Sequence, residues 1–171
     1  MKRSSRHLTR PFDLKTEDFS AVWDEVAKYP PRASVIIAAA FLEDALRWAI
    51  EQKLVDGLSE EEQRALFEAE GAPLSSFHGK ILLGHAIGIY GQVAKADLLT
   101  VKRIRNAFAH SPRSIDFATP EIVSECTKLR YLGAISKDDF TDPKLRCRQT
   151  IVQLVLALYE ASDKIDERGM P

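Results

Sequence analysis

Arg105, Asn106 and His110 stand within one and a half turns at the end of a helical stretch, Ala94 to Ala109, that carries a continuous apolar stripe. A guanidinium, an amide and an imidazole at that spacing suit phosphate chemistry. Arginine stabilises negative charge, and a histidine near its ordinary pKa moves protons at a ribose hydroxyl. On a helical wheel Ala94, Leu98, Val101, Ile104 and Phe108 form an apolar stripe, with Arg105 inside it towards one side. Asn106, His110 and Arg103 point to a different face, and Lys102 lies at the boundary. Arg105 and His110 are five residues apart, about 140° around a regular helix. They reach one ligand only if the helix loosens before His110 or a second subunit contributes.

An arginine on an apolar stripe keeps its charge and needs a carboxylate. The wheel of the second helix places Glu43 inside its apolar arc and Asp44 outside. A Glu43–Arg105 ion pair between the two helices is therefore expected, either fixing their register or aiming the guanidinium at a phosphate. His110, at the end of its helix, has a structural alternative to catalysis: capping the last carbonyls, where the dipole favours a cation.

The elements that must position these groups are helical. Apolar residues recur at 3.6-residue spacing and no stretch keeps a two-residue alternation, so the chain reads as all-α, a bundle of about seven helices. Residues 1–13 form a basic N-terminal tail, and 14–166 form one domain. The first helix is expected from a Thr16 cap to Tyr29, where Pro30-Pro31 stops it. The second runs to about Val55 before Asp56-Gly57. Ser59-x-x-Glu62 is a capping box for a third that ends near Gly71. The fourth is expected over Pro73–Tyr90, with Gly84 and Gly88 on one small-residue stripe. The fifth covers Ala94–Ala109. Ile115 to Phe117 reads as a short extended piece. Thr119-Pro120 opens a sixth helix to about Tyr131, and Asp142-Pro143 opens the last, to about Lys164. The second, fourth, fifth and last should form the core.

Composition excludes several classes. Net charge is −1 over 171 residues, so no global field draws the molecule to nucleic acid or an acidic membrane. A local patch would have to do so, and Lys102, Arg103 and Arg113 are the candidate phosphate contacts, in a stretch without an acid. The two cysteines, Cys126 and Cys147, read as buried thiols of a reducing compartment. The longest apolar run, Val35 to Leu42, is far short of a membrane span, and no secretory signal opens the chain, so a cytoplasmic location is expected. His78 and His85 lack further ligands, so no metal site is expected, and no cofactor loop of known spacing is present.

Arg105 to His110 reads R-N-x-x-x-H, which resembles the signature of HEPN domains. These are all-helical, often dimeric proteins, many of them metal-independent ribonucleases. That resemblance implies Arg105 and His110 as catalytic pair, with Asn106 accompanying. A wider resemblance spans roughly residues 30 to 130. It rests on Leu66-Phe67, Gly71-Ala72-Pro73-Leu74-Ser75-Ser76-Phe77, Gly79-Lys80-Ile81, Gly88-Ile89-Tyr90, Asp97-Leu98, Ile104 to His110 and Phe117. These are similar to the mannitol operon repressor family. This implies a transcriptional regulator without its own DNA-binding motif, working through protein partners and as a homodimer. The alternative is a HEPN-type ribonuclease.

Overall fold

The computed structural model describes residues 17–54, 58–131 and 141–166. Thr16, the Asp56-Gly57 stop and the basic tail at 1–13 lie outside them. Among the described residues there are seven helices and no strand. They are α1 (Glu17–Lys28), α2 (Pro31–Glu51), α3 (Glu60–Phe67), α4 (Phe77–Ala86), α5 (Gln92–His110), α6 (Pro120–Thr127) and α7 (Pro143–Asp166).

Each start follows from local chemistry. Pro31 opens α2 and Pro120 opens α6 at a position where a missing N–H costs nothing. Ser59 and Glu62 close a reciprocal capping box on α3. Ser76 accepts from the Gly79 N–H and starts α4 three residues after the expected Pro73. α4 stops at Ala86, not Tyr90, because Gly88 turns left-handed at φ +77°. Gly84 and Gly88 therefore do not share a helical stripe. The residues from Ser111 to Thr119 are irregular and contain no strand.

α2 is the central rod. It packs against α1, α4, α5 and α7, while α6 lies across α5 and α7. Leu42, Ala45, Leu46 and Ile50 of α2 meet Leu98, Val101, Ile104 and Phe108 of α5 and Ile151, Leu154, Val155 and Leu158 of α7 in one buried core. Arg47 joins α2 to α3: it bonds Glu51 and Glu68 at 2.8 and 2.9 Å and stacks 4.7 Å from the Phe67 ring.

Gly84 lets α4 approach. A Cβ there would lie 2.9 Å from the Tyr90 hydroxyl and 3.1 Å from Leu46 Cδ1. Neither neighbour has room to yield: Leu46 is fully buried, and the Tyr90 hydroxyl donates to the Ile81 carbonyl at 2.8 Å. Alanine gains up to about 1 kcal/mol of helix propensity, but overpacking costs about 1–3 kcal/mol. Gly84→Ala is expected to lower the urea midpoint; an unchanged or higher midpoint rejects the close contact.

Candidate functional site

Of the groups nominated from the sequence, Glu43 and Arg105 sit where α2, α4 and α5 adjoin. Glu43 comes from the middle of α2, half-buried, and its neighbour Asp44 is exposed. Arg105 Nη2 lies 3.7 Å from Glu43 Oε2, too far for a hydrogen bond. The closer partner is one the sequence reading missed. Lys80 of α4 reaches Glu43 Oε1 with Nζ at 2.6 Å, and only 7% of its side chain is exposed. Glu43 thus serves Lys80 first and Arg105 second. The expected Glu43–Arg105 ion pair is present, but it is loose and the carboxylate is shared with Lys80.

Arg105 is also less sequestered than the wheel implied, since 29% of its side chain is exposed. Its guanidinium carbon stands 5.8 Å from the centre of the Phe77 ring, so an aromatic face carries part of the contact. The wheel erred because Arg105 lies at the edge of the stripe, and a long side chain snorkels from there towards water.

α5 stays helical through His110, and only Ser111 leaves the helix. Loosening before His110 therefore does not occur, and Arg105 and His110 remain on faces about 140° apart. His110 is exposed, Asn106 is half-buried, and among the described residues neither makes a side-chain hydrogen bond. The expected capping bond from His110 is not formed among the described residues, and a cation from another helix grips the chain just beyond α5. Arg32 of α2 donates to the carbonyls of Ser111 and Arg113 at 3.1 and 2.9 Å. It holds the chain that leaves α5.

The three candidate phosphate contacts differ. Arg103 is engaged, with Nε on Glu125 at 2.9 Å and Nη2 on the Thr100 hydroxyl at 2.8 Å. Lys102 is half-buried and Arg113 exposed; among the described residues neither forms an ion pair. The structure therefore gathers Arg105 with Glu43 and Lys80, ties Arg103 to α6, and leaves His110 and Arg113 near the loop that Arg32 holds.

Two further features escaped sequence reasoning. Asp97 of α5 is buried, and its carboxylate accepts the backbone N–H groups of Arg130 and Tyr131. Burial holds its carboxyl above the usual carboxylate range, against the lowering by those two donors and by Arg130 and Arg146. The second feature is a cavity of about 400 Å³ at the start of α5. Its walls include Ile89, Val93, Leu98, Leu154 and Leu158, with Tyr131 among its polar groups. The sequence marks these residues only as ordinary apolar positions, so nothing in it announces a void.

His85 is half-buried, stacked on Tyr90 with Nδ1 3.2 Å from its carbonyl oxygen. Among the described residues no group of three or more His, Cys, Asp or Glu side chains is placed to hold a metal ion. No described helix is long and apolar enough to cross a membrane. No protein-family model, curated protein or solved structure matches the chain.

Proposed function

We propose that this chain is a non-catalytic regulator of transcription resembling the mannitol operon repressor, cytoplasmic and dimeric, acting through protein partners. The observation that carries the reading is the separation of the Arg105 and His110 side chains on an unbroken α5. A phosphoryl-transfer site needs both groups within about 3 Å of the reacting atoms, and one protomer does not bring them together. The surrounding cations support the same reading. Lys80 and Arg103 are ion-paired, and Arg32 is used on backbone carbonyls.

One observation favours a second reading, a metal-independent ribonuclease. Arg105 keeps part of its side chain in solvent, and Asn106 and His110 are unbonded among the described residues. A second copy of the chain would then have to supply the missing partner. There His110 would move the 2′-hydroxyl proton and Arg105 would stabilise the phosphorane charge.

Single-stranded RNA incubated with the protein in EDTA separates the two. The expected result is intact RNA with both wild type and His110→Ala. Cleavage by wild type that disappears in His110→Ala establishes the ribonuclease and removes the regulatory reading.

A further inference from the structure

Protein interiors hold few voids larger than a water molecule, so the cavity of about 400 Å³ at the start of α5 calls for a reason. Its floor is made by the buried side chains of Leu98 of α5 and Leu154 and Leu158 of α7. No charged side chain of the described residues lines it. Its walls are tethered, which keeps the space open. The Tyr90 hydroxyl donates to the Ile81 carbonyl at 2.8 Å, and the Tyr90 ring stacks on His85. Tyr131 is held through its backbone N–H, which donates to Asp97.

The mouth has a different chemistry. Gly91, Gln92, Val93 and Ala94, where α5 begins, line the same cavity. The first backbone bond of that turn runs from the Lys95 N–H to the Gly91 carbonyl at 3.1 Å. The N–H groups of Gln92, Val93 and Ala94 come before it, and among the described residues they have no acceptor. Gly91 brings no capping side chain, yet its backbone does not demand glycine. Its φ of −87° and ψ of −174° suit any residue, and a Cβ there would meet no atom within 4 Å. The first turn carries no acid. Three free donors at the positive end of a 19-residue helix therefore border an apolar void.

We propose that this cavity binds a small carboxylic acid, with its apolar body on Leu98, Leu154 and Leu158 and its carboxylate on the amides that open α5. Preformed apolar cavities with a few converging polar groups are where small ligands bind, and a far smaller apolar void takes up benzene. At about 30 Å³ per non-hydrogen atom, the share of a water molecule in the liquid, about a dozen such atoms fill the space. An anionic end is matched to the helix start, and a cationic one is opposed by it. The cavity is separate from the Arg105 and His110 region, since Ala94 and Arg105 are about 16 Å apart along α5. The inference goes beyond either reading of those residues, and the outcome of the RNA assay leaves it untouched.

Isothermal titration of the full chain with sodium octanoate, sodium 4-phenylbutyrate, 1-octanol and octylammonium chloride tests this. The expected result is saturable binding of one acid per chain. Octanoate should bind about ten-fold or more tightly than 1-octanol, as one charge-assisted hydrogen bond implies, and octylammonium should be weakest. Methyl resonances of Val93, Leu98 and Leu154 should shift with octanoate. Ala157, half-buried on α7, lines the cavity, so Ala157→Phe places a ring in the void and should abolish binding of both acids. Gly91→Asp offers the amides a carboxylate of the chain's own. It should weaken octanoate about ten-fold and leave 1-octanol unchanged. Should Ala157→Phe fail to fold, Gly91→Asp decides, because it adds a favoured cap at an exposed position. No binding of either acid, 1-octanol binding as tightly as octanoate, or octanoate binding that Gly91→Asp leaves unchanged overturns the proposal.

Discussion

Replacing Glu43 by Gln is expected to destabilise the protein by about 3 kcal/mol and lower Tm by about 6–12 °C. The cause is Lys80, not Arg105. Lys80 is 7% exposed and has its ammonium 2.6 Å from Glu43. Glutamine still offers a carbonyl to one ammonium proton, but it cannot neutralise the charge left in the core. Stranding one member of a buried pair costs about 3–5 kcal/mol. The lower end applies here because Glu43 keeps 24% of its side chain exposed. The reverse deletion should be mild. Lys80→Met removes the costly charge and fills the space, and Glu43 keeps Arg105 and solvent, so stability should stay within about 1 kcal/mol of wild type. Urea denaturation of both variants and of the double variant measures this asymmetry. Equal losses in the two single variants would reject the account, as would a Glu43→Gln variant as stable as wild type.

Asp97→Ala should cost a similar amount, about 2–4 kcal/mol, through a different mechanism. Its carboxylate is the acceptor for two successive backbone N–H groups where the chain leaves α6. Each buried donor left without a partner costs about 1–3 kcal/mol, and the exposed Arg130 recovers part of its share from water. The pH dependence gives an independent check. Burial raises the Asp97 pKa, so the folded chain takes up this proton at a higher pH than the unfolded chain does. The associated stabilisation is complete below the unfolded value of about 3.9 and is lost as pH rises through the folded one. Acidification from neutral towards pH about 4 should therefore favour wild type relative to Asp97→Asn. A stability difference that stays flat or grows on acidification in favour of the variant would refute it.

Both predictions concern charges that the sequence places on apolar stripes. Phe77, Lys80, Ile81 and Gly84 follow i, i+3, i+4, i+7 spacing, and all four are buried. Ala94, Asp97, Leu98 and Val101 repeat the pattern on α5. A charge at such a position must be partnered, and this signal was open to a wheel of α4 as it was to one of α5. Arg105 lies at the edge of its stripe and reaches solvent. The partner of Asp97 could not be read in this way. Backbone N–H groups at Arg130 and Tyr131 carry no side-chain type, and every residue but proline offers the same donor.

Local sequence determined the all-α class, the number of helices and most of their starts. Prolines, the Ser59–Glu62 box and 3.6-residue spacing act over a few residues, and their energies are decided before any distant contact forms. It also nominated Glu43 and Arg105 as neighbours. The tertiary structure alone decided which cation Glu43 serves first and that Arg32 grips the chain just beyond α5. Those outcomes depend on which helix faces which, and at what depth. Interactions of comparable size compete for each charged group, and geometry between residues 37 to 81 positions apart selects the winner.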